Sequence, residues 1–339
     1  MKKLFGTCSD GQQAYLYTIT GGGLTAEISD LGATLVKLLV PDAAGNVADV
    51  VLGYDTPAEY IAGTTYFGAT IGRNSNRVGG AVFPLNGKTY ALPVNDNGKN
   101  SLHSGPDTYK SRMWQVVSHT EGSICLRLDS PDGDQGYPGN GVIHVTYTLE
   151  APSTLKITYD GICDQDTVFN MTNHSYFNLA GHQHPEKAIE HTLCMPARHF
   201  TAADADSIPT GELPSVEGTP MDFRTPKAIG RDIGEDYLAL KLQNGYDHNF
   251  EVYTNPCAVL TDPASGRTMS VETDCCGVQF YCGNFLDNEK GKDGTVYCFR
   301  GGICLETQFY PDSINHPEWK QPFVKAGIPY HSETKYIFS

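Results

Sequence analysis

Four segments of the 339-residue chain gather side chains able to grip hydroxyl groups and to move protons. Gly72-Arg73-Asn74-Ser75-Asn76-Arg77-Val78 is followed by Ser101-Leu102-His103-Ser104-Gly105. The second segment is Asn170-Met171-Thr172-Asn173-His174-Ser175-Tyr176-Phe177-Asn178-Leu179. The third is Asn244-Gly245-Tyr246-Asp247-His248-Asn249-Phe250, and the fourth runs from Gly277-Val278-Gln279-Phe280-Tyr281 to Ile303-Cys304-Leu305-Glu306-Thr307. Amides and carboxylates read hydroxyls directionally, because a hydroxyl both donates and accepts. Arginine adds a fork of donors and a fixed charge that favours a developing oxyanion. An imidazole and a carboxylate together can act as general acid and general base.

Each group also has an ordinary structural reading. A histidine in a strand is commonly a hydrogen-bonded structural group. Asn, Asp and Gly around Asp247 fit a turn, Arg73 and Arg77 fit ion pairs, and Phe280 and Tyr281 are read as core. Glu306 is harder to explain this way. It follows Ile303-Cys304-Leu305 in a segment that reads as a buried strand, where a carboxylate must be exposed, paired or functional.

The elements that would position these groups are mostly strands. Ile143, Val145, Tyr147 and Leu149 alternate with His144, Thr146 and Thr148, and Leu155, Ile157 and Tyr159 alternate with Lys156 and Thr158, the period of half-buried strands. Asn86-Gly87 between two apolar runs predicts a hairpin with a type I′ turn, and Glu121-Gly122 predicts another. Helical signals are short: Thr56-Pro57-Ala58-Glu59 has capping-box spacing with Pro at the first helical position, ended by Gly63, and Ile229 to Leu242 has room for a turn or two. With 36 Gly and 20 Pro to punctuate it, the chain reads as all-β, a single large antiparallel β-sandwich with few short helices. No linker, repeat or composition shift divides it, so residues 1–339 are expected to form a single domain.

Composition bounds the function. Hydrophobic residues make up 40% and charged residues 19%, enough for a large core and too little charge for disorder. A net charge of -15 without a Lys/Arg stripe argues against nucleic acid as a partner. Lys2 and Lys3 are followed by no apolar signal region, and no apolar run has the length of a membrane span. A cytoplasmic protein with reduced thiols is therefore expected. The ten cysteines show no C-x-x-C frame and the eleven histidines no H-E-x-x-H, so no metal and no cofactor is expected. His182-x-His184 is read as an exposed loop.

Taken in order, Asn76-Arg77, His103, His174-Ser175-Tyr176-Phe177-Asn178-Leu179, Tyr246-Asp247-His248, Gln279-Phe280-Tyr281 with Gly283-Asn284, and Leu305-Glu306-Thr307-Gln308 resemble the aldose 1-epimerase (galactose mutarotase) family. The resemblance spans nearly the whole chain and includes the Asp132-Gly133 to Gly136-Tyr137-Pro138-Gly139 loop. It implies the galactose mutarotase-like supersandwich, with His174 as general acid and Glu306 as general base. It further implies that Asn76, Arg77, His103, Tyr176, Asp247 and Gln279 hold the hydroxyls of a monosaccharide substrate. Two departures, Ser104 where glycine is common and Asn74-Ser75 in place of a more apolar pair, bear on loop shape or sugar preference.

The implied reaction interconverts the α and β anomers of a free hexose, galactose or glucose, by ring opening and reclosure. It needs only a base and an acid at one hemiacetal. A histidinium at 174 is expected to be supported by Glu306 or Asp247. The rivals are a non-catalytic sugar-binding or regulatory module, for which a proton pair is superfluous, and a hexose-6-phosphate 1-epimerase, for which Arg73 is the one evident extra cation. A glycosidase would use two carboxylates. Monomer and homodimer are equally compatible with the sequence.

Overall fold

The alternating segments form long antiparallel ladders in the computed structural model, which describes residues 1–339. Gly141–Glu150 pairs with Thr154–Cys163 along its full length, and the inward set Ile143, Val145, Tyr147 and Leu149 is buried. These two strands are central in a nine-stranded sheet that runs from Gln115–His119 to Lys227–Ala228. A five-stranded meander, Lys2–Thr7 to Val47–Asp49, contributes to the same core. That core of 54 buried side chains takes members from both sheets, so neither sheet covers its apolar face without the other.

Local signals resolve as their chemistry dictates. Val82–Leu85 and Lys88–Ala91 form the predicted hairpin, with Asn86 and Gly87 both at positive φ, 51° and 74°. Gln115–His119 and Ser123–Ser130 form the second. The helix Pro57–Ala62 carries both hydrogen bonds of its capping box and stops at Gly63. A 3₁₀ turn at Ile229–Arg231 and the short helix Leu238–Leu242 fill the other helical segment.

Three smaller pairings bring distant segments together. Thr172–Asn173 pairs with Thr70–Ile71, Arg77–Val78 with Ser101–Leu102, and Asp247–Glu251, Gly277–Tyr281 and Cys304–Gln308 make a three-stranded sheet. Two sequence readings are corrected here. His182 is buried, its Nδ1 3.2 Å from the Tyr297 hydroxyl, while His184 alone is exposed. The pair is split because His182 follows Gly181 inward, where Asp49 O accepts its amide.

Arg73 is no surface ion-pair partner either. It has no exposure, and its guanidinium donates to the carbonyls of Ser130, Pro131, Pro138 and Gly139 and to the hydroxyls of Ser130 and Thr167. The Asp132–Gly139 loop is thus a cradle closed around one cation, pinned from outside by a bidentate Arg112–Asp134 pair at 2.8 Å on both arms. Arg73→Ala would orphan several carbonyls at about 1–3 kcal/mol each. It is expected to lower stability by roughly 3 kcal/mol or more, with Arg73→Lys intermediate; urea unfolding followed by circular dichroism checks both.

Candidate active site

Register decides which side chains of the three-stranded sheet meet. Asn249, Gln279 and Glu306 lie opposite one another across its strands, and so do Asp247, Tyr281 and Cys304. The intervening residues His248, Phe280 and Leu305 form the next row, on the opposite face because successive side chains alternate. Phe280 stacks on Tyr246 there, 5.1 Å between centroids, and joins the core. Tyr281 takes the other face and lines a cavity. The reading as core holds for both: Tyr281 is buried in a second apolar cluster and lines the cavity as well.

The same alternation orders the His174 block. His174 and Tyr176 face the cavity, whereas Phe177 enters the core beside Tyr336. Asn173 anchors the turn behind them: its amide donates to Gly68 O at 2.8 Å, and its Oδ1 accepts from the amide and hydroxyl of Ser175. From the pairing of Arg77–Val78 with Ser101–Leu102 comes His103, whose Nδ1 accepts the Asn76 backbone amide at 3.1 Å while its own amide donates to Asn76 O at 3.0 Å. The Ser104 hydroxyl accepts from Asn74 N at 2.9 Å and donates to Asn74 O at 2.8 Å, lacing the two loops together. Ser104 sits at φ 67°, where a side chain is strained, and these two bonds offset that cost.

The resulting cavity has a volume of about 170 Å³ and is lined by Asn76, Arg77, His103, His174, Tyr176, Asp247 and Glu306 among the residues expected from sequence. Gln279 is displaced from that set. It lies in an adjoining crevice and donates its amide to Asp247 Oδ1 at 2.6 Å, so it orients Asp247 from behind. Sequence reading missed Tyr66, Thr64, Thr65 and Phe285 on the walls, and Cys304 against the His174 ring. Period two in the strands carried a signal for Cys304 and Tyr281, which share faces with Glu306 and Gln279; nothing in the Tyr66 segment marked it.

His174 Nε2 stands 3.7 Å from Glu306 Oε1, both side chains almost fully buried. Its ring is sandwiched between Tyr66 and Tyr176, at interplanar angles of 17° and 15°. Burial holds His174 down at about 4 and pushes Glu306 well above the usual carboxylate range, with the Asp247 charge adding to the rise and Arg77 opposing it. The expected support of a histidinium by these carboxylates is thus outweighed by desolvation. Both shifts favour the neutral forms, a proton on Glu306 and none on His174. Asp247 is raised by burial too, opposed by Arg77 and by the Gln279 hydrogen bond. Arg77 itself is tied only through Nε, to Asp96 at 3.2 Å, which leaves its two terminal nitrogens for the cavity. Glu306 Oε2 has no protein partner.

His103, His174 and Glu306 also place one ligand-type atom each within 4.8 Å of one another. A cation would have to take His103 through Nε2, forcing its proton onto Nδ1 against the Asn76 N–H. The donor set therefore suits a neutral His103 that donates from Nε2 into the cavity.

The linkage sign follows from these shifts. A carboxyl with a folded pKa above its unfolded value of about 4.5 takes up a proton on folding, which costs stability increasingly as pH rises toward the folded pKa. Glu306→Gln is expected to raise the Tm of the empty protein at pH 8, and by less at pH 5, in scanning calorimetry at both pH values.

The whole chain has counterparts among known proteins. Residues 15–337 match the aldose 1-epimerase family model. The chain is 40% identical to a galactose mutarotase of Sus scrofa over 321 residues, 93% of this chain and 91% of that protein. It is 38% identical to an aldose 1-epimerase of Haemophilus influenzae, covering 97% of each. Among solved structures, an aldose epimerase homologue from C. elegans superposes with a TM-score of 0.89 at 31% identity, covering 96% of this chain and 99% of that one. A galactose 1-epimerase from Lactobacillus acidophilus superposes with a TM-score of 0.86 at 26% identity, covering 100% and 98%.

Proposed function

This chain belongs to the aldose 1-epimerase family and is an isomerase of that class, and on that premise we propose that His174 and Glu306 carry proton transfer at the anomeric centre of a free hexose. The observation that supports the assignment is the 3.7 Å approach of Nε2 to Oε1 inside a buried polar cavity. The hydroxyl and ring oxygens of a hemiacetal share one carbon, so an acid and a base must stand this close to serve both.

The proton inventory fits a cycle. With the closed sugar bound, Glu306 as carboxylate takes the O1 proton while protonated His174 gives one to the ring oxygen. The C1–O5 bond breaks and C1 becomes an aldehyde, leaving Glu306 protonated and His174 neutral. Rotation about C1–C2 presents the other carbonyl face. Reclosure returns a proton from Glu306 to the carbonyl oxygen and one from the C5 hydroxyl to His174. The distribution that burial favours in the empty site, a protonated Glu306 with a neutral His174, is the one that accompanies the open-chain intermediate. Donors that favour the carboxylate, with Arg77 the nearest cation, bring the two distributions together in energy when sugar hydroxyls fill the cavity.

Asn76, His103, Arg77 and Asp247 take the hydroxyls, Tyr176 and Tyr66 flank the working imidazole, and Gln279 acts through Asp247. The phosphorylated-sugar reading loses its cation, because Arg73 is spent in the Asp132–Gly139 cradle. A purely sugar-binding role leaves the buried proton pair without a use. All the groups come from one chain, so a monomer or a homodimer serves equally. No helix is long and apolar enough to cross a membrane; the acidic surface charge and the ten free thiols support placing the protein in the cytoplasm.

Polarimetry of freshly dissolved α-D-galactose and α-D-glucose checks the assignment. Wild type is expected to accelerate the approach to anomeric equilibrium, in the presence of a metal chelator as well. His174→Ala and Glu306→Ala should each lose roughly 10²–10⁴-fold in kcat; a folded variant with wild-type kcat would remove that residue from the mechanism. The kcat/KM profile should fall below about pH 4, where His174 gains a second proton for the pair and no base remains. It should fall again as pH rises through the raised pKa of Glu306, where the pair loses its remaining proton and no acid remains.

A further inference from the structure

Every side of the His174 ring is occupied. Tyr66 and Tyr176 stack near-parallel to it, with centroids at 5.7 and 5.1 Å, and His103 and Tyr281 meet it at steep angles. Nε2 is the nitrogen turned to Glu306 Oε1, and Nδ1 stands 3.6 Å from Cys304 Sγ, the one side-chain hydrogen-bond partner of the ring, which also has its own backbone within reach. Cys304 and Glu306 are two residues apart on Cys304–Gln308, so they project from the same face, and one strand addresses both nitrogens of one imidazole.

We propose that Cys304 is a positioning residue for the reaction: its sulfur accepts a hydrogen bond from His174 Nδ1–H and so reserves Nε2 for proton exchange with the sugar. The inference rests on the reading of His174 as the group that protonates the ring oxygen. For reclosure Nε2 must accept a proton while the ring is neutral, and a neutral imidazole carries its hydrogen on the other nitrogen. That hydrogen then points at Sγ. The two stacked tyrosines oppose a flip of the ring that would exchange the nitrogens. A carboxylate in this position would also orient the ring, but it would add a buried charge and hold the imidazolium against giving up its proton. A thiol orients it without that charge. Burial pushes the Cys304 thiol well above its ordinary pKa, so it stays protonated and does not enter the proton cycle.

The test separates tautomer from turnover. Nitrogen-15 NMR of histidine-labelled protein, with the His174 signals assigned by their loss in His174→Gln, reads which nitrogen bears hydrogen. Wild type near pH 7 is expected to show a protonated Nδ1 and a bare Nε2. Cys304→Val, close in size and unable to hydrogen-bond, should move the hydrogen to Nε2 and lower kcat roughly 10–100-fold with little change in KM, the usual cost of removing a partner that fixes a working imidazole. Cys304→Ser should restore the Nδ1 hydrogen and most of kcat. A wild-type His174 bearing its hydrogen on Nε2 would overturn the proposal, and so would wild-type kcat in folded Cys304→Val. Equal impairment of folded Ser and Val variants would show packing in place of hydrogen bonding and overturn it too. Should Cys304→Val fail to fold, the wild-type tautomer and the Ser variant decide. An active His174→Gln would instead sink the reading of His174 as the acid while leaving the tautomer measurement intact.

Discussion

Desolvation of a histidine and a carboxylate buried side by side governs this molecule. In water the two would hold opposite charges near neutral pH; buried side by side, they are pushed toward the neutral distribution. In the proposed cycle, ring opening moves a proton onto Glu306 and takes one from His174. Such a site must hold both groups within one hemiacetal's reach and surround them with hydroxyl partners. The fold meets each requirement with groups far apart in the chain.

Rigidity comes from polar groups that never meet substrate. Asn173 ties the His174 turn to Gly68, Arg73 fastens its own segment to the Asp132–Gly139 loop, and the Ser104 hydroxyl laces His103 to the strand before Asn76. Each leaves buried carbonyls or amides that would be costly without partners, and each is satisfied by a specific side chain. Ser104 and Asn74-Ser75 look like separate departures from the family pattern when read along the chain. They meet in space, where the Ser104 hydroxyl bonds the Asn74 backbone, a contact that does not depend on the side chain at 74.

Much of the site was legible in advance, because its chemistry needs residue types that ordinary packing does not explain. Glu306 in an apolar strand, Asp247 beside two polar neighbours and the His174 block all line one cavity. What sequence left open has a common reason: it reports residue type and period, and not which neighbour lies across a sheet. Gln279 has the expected chemistry and donates to Asp247. Tyr281 is core, as its type suggests, and also a cavity wall, because it shares a face with Gln279. Tyr66 stands in a connection with no period, and His182 turns inward at a glycine whose flanking residues read as loop.

What the sequence determined by itself is the strand-dominated architecture, the hairpins and capped helix, and the inventory of acid, base and hydroxyl-binding groups. Alternation, turn chemistry and capping act within a few residues, and a buried carboxylate is conspicuous wherever it falls. Only the tertiary structure decided the protonation of the pair, the burial of Arg73 inside a loop, and the meeting of Cys304 with Nδ1 of His174. Those depend on desolvation and on register between segments a hundred or more residues apart, such as His174 and Cys304. Neither quantity is carried by local pattern.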